Sequence, residues 1–122
     1  MMLLTKAIRS KLPALYANEG LPDDQVMVQA KFFTPDSNWT WYVTEFDGKD
    51  TLFGLVVGFE VEMGYFLLSE LQRARGPWGL SIERDRWFEP TPLCELPEWS
   101  KWAGREAESD GYGENEDRRR AA

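Results

Sequence analysis

One stretch of the chain, residues 39–57, constrains the fold more than any other, because it joins two strand-like segments through a tight-turn signal. In residues 39–46, aromatic and β-branched side chains recur with a period of two, which is typical of a β-strand. The pair Asp47-Gly48 follows, and it favours a hairpin because Gly readily adopts the positive φ of a tight turn. Residues 51–57 form an apolar run that predicts a buried returning strand. The sequence therefore predicts a β-hairpin at the centre of the fold.

Alternation along the first strand of this hairpin assigns its side chains to two faces of the sheet. Large aromatic rings fall on both faces, so we expect at least one of them to be exposed. The pattern predicts one face made by Trp39, Trp41, Val43 and Glu45 and the other made by Thr40, Tyr42, Thr44 and Phe46.

A helix and a strand are predicted before the hairpin. Thr5 is suited to cap the helix, which we expect to end near Leu12 because Pro13 interrupts the helical spacing. Residues 26–34 then alternate with a period of two and predict the first strand.

Two further strands and a short helix are predicted after the hairpin. One strand follows a bend at Gly58, and residues 67–75 predict a helix that Gly76 and the following proline end. Residues 81–88 alternate again and predict the last strand. Prolines follow at positions 90, 92 and 97, and they predict irregular structure there apart from a short turn.

The order of these elements, α-β-β-β-β-α-β, predicts a single α+β domain. We expect a mostly antiparallel sheet of four to five strands, with an N-terminal helix, one short helix before the last strand, and the helices packed on one face. The domain is predicted to span residues 1–103. Residues 104–122 are polar and nearly free of apolar side chains, so they are predicted to form a disordered acidic tail.

Length and cysteine content indicate the cellular setting. The chain has 122 residues, which is enough for one domain to bury a core. A single cysteine cannot form an internal disulfide, which favours a reducing compartment. The N-terminus lacks the pattern of a signal peptide, and no segment approaches the roughly 18 apolar residues of a membrane span. We therefore predict a cytoplasmic protein with no membrane partner.

The sequence offers few groups for catalysis. It contains no histidine, which removes the commonest general base and most metal-site patterns. It also lacks a phosphate-binding loop and a dinucleotide fingerprint. We therefore predict no catalytic residue, no metal site and no cofactor, and we favour a non-enzymatic protein. The enzymatic alternative is a metal-dependent enzyme that uses the carboxylates of Glu45, Asp47, Glu60 and Glu62.

Acidic residues gather in and after the hairpin of a chain whose formal net charge is −7. This charge opposes nonspecific binding to phosphate backbones, which depends on Lys and Arg. The local excess predicts an acidic face for a basic partner, and a solvated sheet face is the simpler interpretation. The residues of the predicted acidic face are Glu45, Asp47, Asp50, Glu60 and Glu62.

The aromatic residues of the hairpin predict a second candidate surface, made by Trp39, Trp41 and Tyr42. Core packing is the simpler interpretation of these rings. Exposed rings are stacking platforms for single-stranded nucleic acid when a basic groove accompanies them. Lys31, Arg84 and Arg86 in one groove with either tryptophan would favour that alternative. An exposed aromatic patch rimmed by acids would favour a protein partner instead.

Four segments occur in order between residues 2 and 96: LLTKAIRSKLPALYANEG, KFFTPDSNWTWYVTEFDG, LFGLVVGFEVEMGYFLLSELQ and GPWGLSIERDRWFEPTPLCEL. Together they resemble a bacterial family described as a domain of unknown function. The resemblance implies relatives encoded on plasmids and other mobile elements, near conjugation and anti-restriction genes. It implies no established activity and no site residues.

Taken together, these features predict a small acidic protein-interaction module, non-enzymatic and associated with mobile genetic elements. Its expected partner is a protein. In the sharpest form of this hypothesis, the module is an inhibitor that mimics DNA by presenting carboxylates to a nucleic-acid-binding protein of the host. The alternatives are single-stranded nucleic-acid binding through the aromatic hairpin and the carboxylate-based enzyme.

Overall fold

The hairpin predicted at residues 39–57 forms the middle of a five-stranded sheet in the computed structural model, which describes residues 2–109. Its turn contains Gly48 with a φ of 86°, the positive value that the Asp-Gly pair predicts. The helices and strands of the described residues are α1 (Lys6–Lys11), β1 (Met27–Val28), β2 (Ala30–Phe33), β3 (Thr40–Phe46), β4 (Thr51–Val57), β5 (Val61–Leu67), α2 (Leu68–Arg73), β6 (Glu83–Arg84), β7 (Thr91–Pro92) and α3 (Pro97–Ser109).

The strands form one large sheet and one small one. The large sheet has the strand order β5-β4-β3-β2-β6, and every pair of adjacent strands in it is antiparallel. β1 and β7 form a separate two-stranded antiparallel sheet. The predicted class is confirmed: this is an α+β domain with an antiparallel sheet, an N-terminal helix and a short helix before the last strand of that sheet.

The N-terminal helix begins where the sequence predicts. The hydroxyl oxygen of Thr5 accepts a hydrogen bond from the backbone N–H of Ile8 at 3.1 Å. This bond satisfies one of the N–H groups that have no partner within the first helical turn. α1 ends at Lys11, immediately before Leu12 and the helix-breaking Pro13.

A β-bulge in β3 changes the faces that simple alternation predicts. The register against β4 shifts between Val43 and Glu45, so β3 contains one extra residue and the side chains beyond it change faces. Phe46 consequently joins Trp41 in the same core cluster, and Glu45 moves to the opposite face. The predicted two-face assignment is therefore wrong after Val43, because a bulge leaves no mark in a period-two pattern.

Apolar side chains cover both faces of the large sheet. α1 and α2 pack on the face that holds Phe32, Trp41 and Leu52. β1, the segment 93–96 and α3 pack on the face that holds Tyr42 and Leu55. The two predicted helices therefore lie on one face as expected, but α3, a helix that the sequence did not predict, covers the other. Central strands with large apolar side chains on both faces need cover on both to remove them from water.

Two predicted strands are shorter than their patterns. Gln29 separates β1 from β2 within the predicted strand at 26–34, and only the two residues of β6 represent the predicted strand at 81–88. β1 pairs with β7 rather than with the large sheet. The alternating pattern therefore identifies extended backbone correctly but not the partner with which it pairs.

The segment after position 90 is more regular than predicted. α3 begins at Pro97, which is tolerated because the first helical position needs no N–H donor. The helix continues to Ser109, across the predicted domain boundary at 103/104. The remainder of the predicted tail, residues 110–122, lies outside the described residues. Among the helices of residues 2–109, none has the length and apolar character to cross a membrane.

Candidate functional site

Glu45, a residue of the predicted acidic face, lies inside the protein. Its side chain is 0% exposed. The two carboxylate oxygens accept hydrogen bonds from the backbone N–H groups of Tyr16 at 2.8 Å and Asn18 at 3.0 Å. Tyr16 has a positive φ of 71°, so the carboxylate fixes a strained turn after α1. Glu45 therefore holds that turn against the sheet and is not part of an exposed face.

Asp47 and Asp50 serve the turn between β3 and β4. Asp47 is exposed, and its Oδ1 accepts backbone N–H bonds from Lys49 at 2.7 Å and from the two residues after it. These bonds, led by the one from Lys49, lower the pKa of Asp47. Asp50 accepts hydrogen bonds from the backbone N–H and the hydroxyl of Ser69 at 2.8 and 2.6 Å. Asp50 therefore joins the turn to the start of α2.

Glu60 and Glu62 are exposed at the other end of the hairpin strand. The seven residues of β4 separate them from Asp47, a span of about 20 Å at the usual rise of a strand. The structure therefore does not bring the five predicted carboxylates together on one surface. Within residues 2–109, no three His, Cys, Asp or Glu side chains are grouped so that they could hold a metal ion.

The three predicted aromatic residues do not form one platform. Trp41 and Tyr42 are buried in clusters on opposite faces of the sheet. Trp39 is half-buried and stacks on Trp41, with ring centroids 5.9 Å apart. A Cβ atom at Gly58 would overlap the Trp39 ring, so this glycine allows the ring to lie against the backbone. Of the three, Trp39 is the one that reaches the surface.

Tyr42 connects the sheet to α3. Its hydroxyl donates to the carboxylate of Glu98, with oxygen–oxygen distances of 3.1 and 3.2 Å. The Lys31 ammonium lies 5.7 Å from the centre of the Tyr42 ring. Burial raises the pKa of Tyr42, and the negative charge of Glu98 adds to the effect. Tyr42 is therefore a neutral structural link between the large sheet and α3.

One end of the large sheet exposes several large apolar side chains. The β2–β3 and β4–β5 connections lie at this end because consecutive strands are antiparallel. Phe59 is 94% exposed and contacts the Trp39 ring edge-on at 5.3 Å between centroids. Trp78 is 85% exposed on the loop after α2, and Leu80 of that loop is also exposed. We call the set of Trp39, Phe59, Trp78 and Leu80 the aromatic end.

Asp36 holds the Trp78 loop against the β2–β3 connection. Its Oδ2 accepts hydrogen bonds from the backbone N–H groups of Trp78 at 2.9 Å and Leu80 at 3.3 Å. The loop is closed by a hydrogen bond from the Gly76 N–H to the Leu80 carbonyl at 2.9 Å. A Cβ atom at Gly76 would overlap the Asp36 carboxylate. The loop is therefore built around this carboxylate, and the exposed indole is carried on a fixed backbone.

A groove of about 700 Å³ lies beside β6, between the β2–β3 connection and the turn after β6. We call it the edge groove. Lys31, Arg84 and Arg86 line it together with Trp39, the combination that favours the nucleic-acid alternative. Trp87, which is 91% exposed, also lines this groove.

The three cations of the edge groove differ in their surroundings. The Lys31 ammonium lies 3.8 Å from the Asp85 carboxylate. The Arg84 guanidinium donates hydrogen bonds to the backbone carbonyls of Met2 and Leu3, so it anchors the N-terminal segment. Arg86 is exposed and forms no ion pair within residues 2–109. Arg86 is therefore the cation of this groove that is available to an anion.

The sequence did not predict that Phe59 and Trp78 are exposed binding candidates, nor that Asp36 holds the Trp78 loop. Phe59 follows Gly58, and Trp78 stands between Pro77 and Gly79. A bulky ring flanked by turn-forming residues is placed on a connection, where it cannot be covered by a neighbouring strand. That local signal identifies these two residues as surface aromatics. The role of Asp36 depends on a loop 42 positions later in the chain, and no local pattern indicates it.

Comparison with known protein families shows a match over most of the chain. The model described as "Protein of unknown function (DUF2958)" matches residues 3–109. The chain belongs to this family. The DUF2958 match includes α3 and therefore extends beyond the segments between residues 2 and 96 that carry the sequence resemblance. The search of curated proteins and the search of solved structures each returned no significant match.

Proposed function

We propose that this DUF2958 protein is a non-enzymatic protein-interaction module that binds its partner through the aromatic end. The observation that carries the proposal is the nearly complete exposure of Phe59 and Trp78, at 94% and 85%, with Phe59 in contact with the half-buried Trp39. Exposed large apolar side chains gathered at one end of a fold are typical of interaction sites. Large aromatic side chains also dominate the binding energy of protein interfaces.

The fixed loop geometry supports this use of Trp78. Asp36 holds the backbone on either side of the indole through its hydrogen bonds to Trp78 and Leu80. A binding residue on an ordered backbone loses less conformational freedom on association, so more of its burial energy appears as affinity. Asp36 therefore acts as a positioning residue for the aromatic end.

Charge indicates the chemistry of the partner. Glu60 and Glu62 are exposed next to Phe59, and the whole chain has a formal net charge of −7. Electrostatic complementarity raises association rates and discourages wrong partners. The partner that fits is a protein with an apolar pocket bordered by Lys or Arg. Because the sequence resemblance implies relatives on plasmids, we extend the proposal to a partner encoded by a mobile element or its host.

Three other hypotheses have less support: the DNA mimic, the carboxylate-based enzyme and the binding of single-stranded nucleic acid. A DNA mimic needs a continuous stripe of carboxylates, whereas Glu45 is buried and Asp47 lies at the opposite end of β4 from Glu62. The same separation leaves the carboxylate-enzyme hypothesis without a common pocket. The nucleic-acid alternative has a specific observation in its favour, the edge groove, and that groove is distinct from the exposed Phe59 and Trp78.

Affinity capture from a nuclease-treated bacterial cytoplasmic extract tests the proposal. The wild-type chain is compared with a double variant, Phe59→Ser with Trp78→Ser, and with the matched variant Trp87→Ser, which removes an equally exposed ring outside the aromatic end. We expect one protein to be retained by the wild type and by Trp87→Ser. Titration with that protein, once purified, should show about 30-fold or greater weakening in the double variant, as loss of a binding hot spot implies.

Two outcomes of the capture experiment contradict the proposal. One is retention of the same protein by the double variant, which would place the interface elsewhere. The other is capture that disappears after nuclease treatment, which would mean that nucleic acid bridges the chain to the retained protein.

A further inference from the structure

We propose that the edge groove is a second binding site, which takes single-stranded nucleic acid by stacking a base on Trp87 and contacting a phosphate with Arg86. Both residues line the groove, and the groove volume of about 700 Å³ lies within the usual range of ligand-binding clefts. Of the four residues of the aromatic end, only Trp39 lines this groove, so the inference does not rest on the proposed protein partner.

Exposure and local support distinguish Trp87 from a core aromatic residue. Its side chain is 91% exposed, so both faces of the indole are open to a planar ring. Its backbone N–H donates to the Asp85 carboxylate at 2.9 Å, and the Phe88 N–H donates to the Asp85 carbonyl in the same turn. These bonds fix the backbone of the turn that carries the indole at the rim of the groove. Sequence-tolerant stacking of bases on such rings is the usual basis of single-strand binding.

Available positive charge extends past the groove along the edge of the sheet. A second, smaller groove of about 360 Å³ lies on the other side of the segment 84–86, and Lys11 and Arg86 both line it. Helix α1 carries three bases and no acid. A strand that leaves Trp87 across Arg86 therefore meets Lys11 of α1 as a further cation. Asp85 and Glu83 are the opposing acids of the edge groove, and Asp85 is already beside Lys31.

The net charge of the chain does not prevent this interaction at physiological salt. Electrostatic interactions between exposed charges fade beyond about 8 Å at that ionic strength. The exposed Asp47 turn lies at the opposite end of the seven-residue strand β3, about 20 Å away. Local charges at the edge of the sheet therefore decide the potential that a bound strand experiences.

Fluorescence anisotropy with a labelled oligonucleotide of about ten nucleotides, long enough for a typical single-strand site, tests the proposal. Trp87→Ala is paired with Trp78→Ala, which removes an equally exposed indole outside the groove. Arg86→Gln is paired with Lys49→Gln, which makes the same change in net charge at an exposed turn position.

We expect Trp87→Ala to weaken binding at least about fivefold, the lower limit for loss of one stacked base. Trp78→Ala should leave affinity unchanged. Arg86→Gln should reduce the slope of log affinity against log salt by about 0.7, the value for one phosphate contact on a single strand. Lys49→Gln should not change that slope.

Four results would overturn the proposal. They are the absence of binding by the wild-type chain, equal effects of the two tryptophan substitutions, equal effects of the two charge substitutions, and equal affinity for duplex. A single strand and a free nucleotide both offer a base and a phosphate. A mononucleotide included as a competitor distinguishes between them. Displacement of the oligonucleotide at an equal molar concentration would assign the groove to a free nucleotide and contradict a polymeric ligand.

Discussion

The Glu45 carboxylate accepts two backbone hydrogen bonds while it is completely removed from water. Hydrogen bonds to a charged group are stronger than those between neutral groups, and a buried donor that loses its acceptor is destabilising. The two N–H groups belong to Tyr16 and Asn18 in the turn after α1. Glu45 is therefore a stability residue, although its type and its position beside a turn resemble those of a functional acid.

Replacing Glu45 by Gln should lower the free energy of unfolding by about 2 kcal/mol, because one amide oxygen cannot satisfy both N–H groups as the carboxylate does. Urea denaturation monitored by circular dichroism gives this difference directly. Glu62→Gln is the matched control, since it makes the same chemical change at an exposed position and should stay within about 0.5 kcal/mol of the wild type. Equal stabilities for the two variants would contradict the structural role of Glu45.

At the scale of the element, the β3 bulge decides which side chains β3 presents to each core. The register shift between Val43 and Glu45 coincides with a hydrogen bond from the Thr44 hydroxyl to the Phe53 carbonyl at 3.0 Å. Gly54 of β4 pairs with Val43 immediately before the shift, and a Cβ there would overlap the Tyr42 backbone carbonyl. The close approach of β3 and β4 at this point therefore requires glycine.

Gly54→Ala should destabilise the protein by about 3 kcal/mol, the upper range for forcing an extra carbon into a packed core, because backbone must move. Gly64 provides a matched control: it pairs with Gly54 across β4 and β5, and a Cβ there meets no atom within 4 Å. Gly64→Ala should therefore be neutral or stabilise by up to about 1 kcal/mol. Chemical denaturation compares the two, and a tolerated Gly54→Ala would be inconsistent with the described pairing of β3 and β4.

The elements whose signals are local could be predicted from the sequence. Thr5 caps α1, the Asp47-Gly48 turn joins β3 to β4, and both hairpin strands lie close to the predicted segments. The elements that depend on distant partners could not. The bulge is defined against β4, the pairing of β1 with β7 joins distant parts of the chain, and α3 begins at a proline that pattern reasoning treats as a breaker.

The same contrast between local signals and distant partners explains how much of the candidate site could be predicted. The sequence identifies acids and aromatics by type, but burial decides which of them a partner can reach. Glu45, Trp41 and Tyr42 are buried. Phe59, which the alternating pattern assigns to the strand after Gly58, is instead exposed on the connection before β5, and Trp78 is exposed on the connection after α2. Lys31, Arg84 and Arg86 do line one groove with Trp39, although the surroundings that engage Lys31 and Arg84 follow from the tertiary fold alone.

At the scale of the whole molecule, the antiparallel order of the sheet separates two surfaces. The aromatic end gathers connections from one end of the strands, and the edge groove follows the outer side of β6. Trp39 belongs to both surfaces, since it contacts Phe59 and lines the groove. Two ligands bound together would therefore influence each other through this one indole, while the outer anchors Trp78 and Trp87 remain separate.

Hydrogen–deuterium exchange of the chain, alone and saturated with the purified captured protein, locates the interface on the whole molecule. Binding through the aromatic end should slow exchange in the connections 34–39, 58–60 and 76–80 and leave the turn at 47–50 unchanged. Slower exchange at 47–50 or along α3, with those three connections unaffected, would contradict the proposal that the aromatic end is the partner-binding surface.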